Sequence, residues 1–103
     1  MTNTTNENRE YLEAVSQEIK DAYDGGNMID YVCNNVLDVE HILNSSGELI
    51  GVELYIAIGG PTVWIDTRSQ TINIAWASEC DTIDTYSDIC NELNYIFDEN
   101  FNL

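Results

Sequence analysis

Basic residues are almost absent from this sequence: Arg9, Lys20 and Arg68 are the only three among 103 residues. That scarcity excludes the positive patches with which proteins hold nucleic acid or anionic membrane. Histidine occurs once, at His41, and proline once, at Pro61. A zinc site would need further ligands, and His41 is the sole imidazole donor. The cysteines, Cys33, Cys80 and Cys90, are odd in number and lack Cys-x-x-Cys spacing. No apolar run approaches the roughly 18 residues of a membrane span. The opening Met1-Thr2-Asn3-Thr4-Thr5-Asn6 is polar, unlike a secretory signal. The expectation is a cytoplasmic protein with reduced thiols.

What the chain has in excess is acid. Nineteen Asp and Glu set the formal net charge at −16. Solubility alone needs a magnitude of about 2–8, and the surplus repels itself in a compact state. The acids run from Glu7 to Glu99 without a block of five like charges. They alternate with apolar residues, so they decorate a folded surface rather than form a solvated tail. Hydrophobic residues reach 44%, enough for one modest core in a chain of this length. The expected organisation is a disordered stretch over residues 1–6 and one acidic domain over 7–103.

Periodicity predicts an α+β fold. Leu12, Val15, Ile19, Ala22 and Tyr23 recur at helical spacing within Glu7 to Asp24. Gly25-Gly26 stops that helix, and a short second helix covers Met28 to Asn35. Strands are expected over Val36–Asn44, Leu49–Ile58, Thr62–Asp66 and Thr71–Ala77. Their short connections require antiparallel pairing, a four-stranded meander. In the second strand Ile50, Val52, Leu54, Ile56 and Ile58 point one way, and Gly51, Glu53, Tyr55 and Ala57 the other. Ile72, Ile74 and Trp76 share a face of the fourth, which places Trp76 in the core. Trp64 alternates with Val63 and Ile65, a pattern that fits either the core or the outer sheet face near Tyr55 or Glu53. A last amphipathic helix is expected from Thr82 to Asp98, capped by Asp81 or Thr82. Its apolar arc is Ile83, Tyr86, Ile89, Cys90, Leu93, Ile96 and Phe97.

No catalytic kit is legible. Gly59-Gly60-Pro61 lacks the Lys and Ser/Thr of a phosphate loop, and no nucleophile elbow or zincin motif is present. The pairs Asp81 with Asp84 and Asp38 with Glu40 are what so acidic a chain produces by chance, and no calcium-loop pattern surrounds them. The expectation is a protein that is not an enzyme and takes no metal or cofactor.

The sharper reading is a binding surface. Asp84, Asp88 and Glu92 stand at i, i+4 and i+8 in the expected last helix, about 6 Å apart along one line. Tyr95 and Glu99 share that arc, and no basic residue offsets it. Glu10, Glu13, Asp21 and Asp24 form a second acidic face on the first helix. Trp64 is a candidate aromatic anchor, the role such residues take in interfaces. Sixteen charges equal those of about 27 Å of duplex DNA, close to the diameter of a domain of this size. The plain alternative is a solvated surface. The expected partner is a basic protein rather than nucleic acid or membrane, bound by a monomer or a homodimer.

Short length, dispersed acidity and the missing catalytic kit together resemble the anti-defence inhibitors of phages and mobile elements. That group includes anti-restriction DNA mimics and anti-CRISPR proteins. Ile58-Gly59-Gly60-Pro61-Thr62-Val63-Trp64-Ile65-Asp66-Thr67 also resembles small proteins of mobile elements in Gram-positive bacteria. The resemblance implies an inhibitor filling the basic nucleic-acid channel of a host defence nuclease, foremost an RNA-guided CRISPR effector. The alternatives are an immunity protein against a nuclease toxin and an acidic phage or mobile-element adaptor.

Overall fold

The computed structural model describes residues 3–99. Its elements are α1 (Asn3–Asp24), α2 (Met28–Asn35), β1 (Asp38–Leu43), β2 (Leu49–Ala57), β3 (Thr62–Asp66), β4 (Thr71–Trp76), β5 (Glu79–Asp84) and α3 (Ser87–Glu99). The five strands form one antiparallel meander in the order β1-β2-β3-β4-β5. The α+β class is as expected, but the sheet has five strands rather than four. Helix α1 begins at Asn3, within the segment expected to be disordered; Met1 and Thr2 lie outside the described residues. No described helix is long and apolar enough to cross a membrane.

The extra strand comes from the segment expected to start the last helix. Ala77-Ser78 joins β4 to β5, with Ala77 at φ +59°, a left-handed conformation usually left to glycine or asparagine. Glu79, Asp81 and Ile83 point toward α1, while Cys80, Thr82 and Asp84 point away. Two of the three inward positions are acids, so the strand lacks an apolar alternation. Arg9 of α1 reaches Asp81 at 2.8 Å. Inward charge on an edge strand also discourages pairing with other chains.

All three helices contribute to a core on one face of the sheet. Leu12, Val15 and Ile19 of α1 meet Val52, Leu54, Val63, Ile65, Ile72 and Ile74. Ile89, Leu93, Ile96 and Phe97 of α3 and Met28, Tyr31 and Val32 of α2 complete the cluster. Helix α1 lies over β4 and β5, and α3 lies over β2. Thr67 fastens α3 in place: its buried hydroxyl accepts from Val52 N–H at 2.9 Å and donates to Asn94 Oδ1 at 2.6 Å.

Three residues expected on the core side fail near strand ends; the first, Ile50 near the start of β2, is exposed. A bulge between Tyr55 and Ala57 turns Ala57 inward opposite Val63 and leaves Ile58 59% exposed. Trp76 sits at the last rung of β4 and is 37% exposed, so it is outside the core. Gly51 is required by close approach: a Cβ there would stand 2.8 Å from Arg68 Cβ.

Asn8 is an anomaly in this core. It is 1% exposed, and neither amide atom has a hydrogen-bond partner. An unsatisfied buried amide costs about 1–3 kcal/mol. Asn8→Leu keeps the shape and removes the polar atoms, so it is expected to stabilise by about 1 kcal/mol or more. Urea unfolding checks this: the midpoint should rise with an unchanged slope.

Candidate functional site

Most of the acids fall on two opposite broad faces, Glu79 and Asp81 pointing inward between them. On the helical face, Glu10, Glu13, Asp21 and Asp24 are all exposed along α1, as their periodicity predicts. Lys20 donates to Asp24 at 2.8 Å and lies 5.9 Å from the Tyr86 ring centre. The Asp24 hydrogen bond and charge raise the Lys20 pKa. Asp21 accepts from Gln17 at 2.8 Å. Helix α3 presents Asp88, Glu92 and Tyr95, the last 64% exposed. Asp88 stands in the first turn of α3, where a carboxylate complements the helix dipole.

The structure gathers part of the expected set. Asp24 and Asp88 line one hollow with Lys20, Tyr23, Tyr86 and Ile89. Glu92 and Tyr95 line the next, with Ile29 of α2 and Asn91 and Ile96 of α3. Asp84 is not among them. It ends β5 and points away from the helices, so the expected line Asp84–Asp88–Glu92 does not exist. Glu99 is the last residue of α3. Tyr86 lies ahead of α3 and is exposed, outside the apolar arc expected of it.

The other broad face is the open side of the sheet. Strand register places Glu40 opposite Glu53, Glu53 opposite Asp66, Asp66 opposite Thr71 and Thr71 opposite Asp84. Four carboxylates thus stand in one row across five strands, at rungs about 4.8 Å apart. The adjacent row reads Asp38, Tyr55, Trp64, Asn73 and Thr82. Tyr55 and Trp64 stack there with ring centres 6.0 Å apart and planes at 28°. Tyr55 donates to Glu53 at 3.1 Å. Burial first, then Glu53 and the neighbouring acids Glu40 and Asp38, push the Tyr55 hydroxyl up to about 12. Asp66 Oδ1 accepts the N–H groups of Arg68 and Ser69 and so shapes the β3–β4 turn.

Of the two places open to Trp64, core or outer face, the structure shows the outer one, beside Tyr55. The row of Glu40, Glu53, Asp66 and Asp84 is not legible from periodicity, although alternation does assign Glu53 and Tyr55 to the outer side of β2. Finding it needs the register between strands and the existence of β5. No family model, curated protein or solved structure matches the chain.

Asp81 points inward and Asp84 outward, so that pair is separated by the sheet. No group of three His, Cys, Asp or Glu among the described residues could hold a metal ion. His41 meets the Phe97 ring edge-on at 6.2 Å. Cys33 and Cys80 are exposed free thiols, and Cys90 is buried.

Burial pushes the Cys90 thiol up from 9.0 to about 11 and also raises Tyr31. With Tyr55, these groups hold their protons to higher pH in the folded protein than in the unfolded chain. The contribution of Cys90 and Tyr55 is therefore fully present below about pH 9 and is lost as pH climbs through 11 to 12, with that of Tyr31 lost higher still. In an alkaline titration, loss of circular dichroism should coincide with the tyrosinate absorbance of Tyr31 and Tyr55. Ionisation of both in the still-folded protein would contradict this.

Proposed function

We propose that this protein inhibits a nucleic-acid-processing enzyme by occupying its basic nucleic-acid channel. The foremost candidate is an RNA-guided nuclease of a CRISPR defence system, met in the host cytoplasm. The observation that carries the reading is the placement of charge: −16 on one two-layer domain, with carboxylates on both broad faces. Among the described residues two ion pairs, Arg9–Asp81 and Lys20–Asp24, hold two of the three basic residues already counted in that total. Such a surface repels nucleic acid and is drawn to the cleft that binds it. The domain measures 44 × 34 × 21 Å. Along its long axis the net charge is about three-fifths as dense as that of duplex DNA, so the mimicry is of field and extent rather than of phosphate spacing.

The test is a cleavage assay with purified RNA-guided nucleases. Preincubation with the protein should block cleavage, and target DNA bound beforehand should protect the enzyme. Inhibition that ignores prebound DNA would remove channel occupancy. If the protein spares these nucleases but neutralises a nuclease toxin, it is an immunity protein. If it inhibits neither, the inhibitor reading fails.

A further inference from the structure

We infer that the open face of the sheet is a docking surface for an arginine-rich protein segment, received by the Tyr55–Trp64 stack and the carboxylate row of Glu40, Glu53, Asp66 and Asp84. It deepens the proposed inhibition by naming the surface, and rests on that reading only for the partner's basic character. First, the core helices pack on the opposite side of the sheet, so no described helix covers this face. Second, like charges directly opposite on neighbouring strands destabilise a sheet, yet Glu40, Glu53 and Asp66 occupy three consecutive rungs. Arg68 lines one hollow with Glu53 and Asp66, but among the described residues its guanidinium forms no ion pair with the row; its backbone N–H donates to Asp66. A cationic occupant would relieve that repulsion.

Third, the row borders two stacked aromatic rings. A guanidinium can lie over such a ring while its N–H groups fork onto a neighbouring carboxylate; an ammonium can do only part of this. Glu53 stands beside both rings, opposite Asp66 and hydrogen-bonded to Tyr55. The chemistry selects arginine over lysine. The same charge disfavours a second copy of this chain, which would bring two acidic rows face to face.

The test uses an oligoarginine peptide of about six residues, enough in extended form to cross five strands, and oligolysine of equal length. Both are titrated into the full chain and followed by amide chemical shifts. Oligoarginine should perturb β1, β2 and β3 around Glu40, Glu53, Tyr55 and Trp64, and bind more tightly than oligolysine. The combined change Glu40→Gln, Glu53→Gln and Asp84→Asn should weaken it about tenfold or more; Asp66 is spared because it shapes a turn. A helical-face control, Glu10→Gln, Asp88→Asn and Glu92→Gln, should change affinity less than about twofold. Trp64→Leu should cost affinity for oligoarginine and leave oligolysine little changed. Melting curves confirm that each variant is folded.

Shifts centred on α1 and α3, or a sheet variant that binds as the parent does, would overturn the inference. A sheet variant that loses the peptide yet still inhibits a nuclease fully also overturns it, while inhibition stands. Peptide binding mapped to this face without nuclease inhibition upholds the surface and removes the function.

Discussion

Association of this protein with the nuclease proposed as its partner should slow by about a hundredfold or more when salt rises from about 10 mM to about 1 M. The Debye length falls over that range from about 30 Å to about 3 Å. At the low end, most of a domain 44 Å long acts on its partner at once. At the high end, only charges in near contact are felt. Steered complexes reach about 10⁸–10⁹ M⁻¹s⁻¹ at low salt, against about 10⁵–10⁶ without steering. Stopped-flow mixing gives the rate directly. The dissociation rate should change far less, because aromatic contacts such as those of Trp64 are not screened. A flat association rate across the salt series would mean that apolar contact, rather than charge, brings the partners together.

Leu54→Ala should leave the chain largely unfolded at low ionic strength and folded again in high salt. Leu54 is fully buried at the centre of the sheet, opposite Val39 and Ile65. Removing such a side chain costs about 2–5 kcal/mol, against a total stability of about 5–15 kcal/mol for a domain. Self-repulsion at −16 takes part of that total at low salt, and screening returns it. The parent's melting temperature should rise with salt for the same reason. Urea titrations of parent and variant at two salt concentrations measure both effects. A parent that is most stable in low salt would show that its ion pairs outweigh its repulsion.

Most of the fold is legible because most elements obey one period throughout. Helix α2 and strand β3 have the bounds that periodicity predicts. The arc Ile89, Cys90, Leu93, Ile96 and Phe97 is buried as a helix would bury it. Strand β5 is hidden for three physical reasons. Its inward residues include Glu79 and Asp81; Ala77-Ser78 carries no turn signature; and Asp81-Thr82 imitates a helix cap, with Ile83 in phase with the helix beyond it. Because α3 starts only at Ser87, Asp84 belongs to the sheet and the line Asp84–Asp88–Glu92 is broken.

The sequence by itself determined the quantity of charge, the absence of basic patches, the α+β class and the apolar stripes of α1 and α3. These depend on composition and on contacts between near neighbours along one element. Tertiary structure alone decided which acids became neighbours. Glu40, Glu53, Asp66 and Asp84 are separated by 13 to 18 residues from one to the next, and only strand register aligns them in one row. Register is set by turns, bulges and the packing of the opposite face. No local pattern in the chain encodes it.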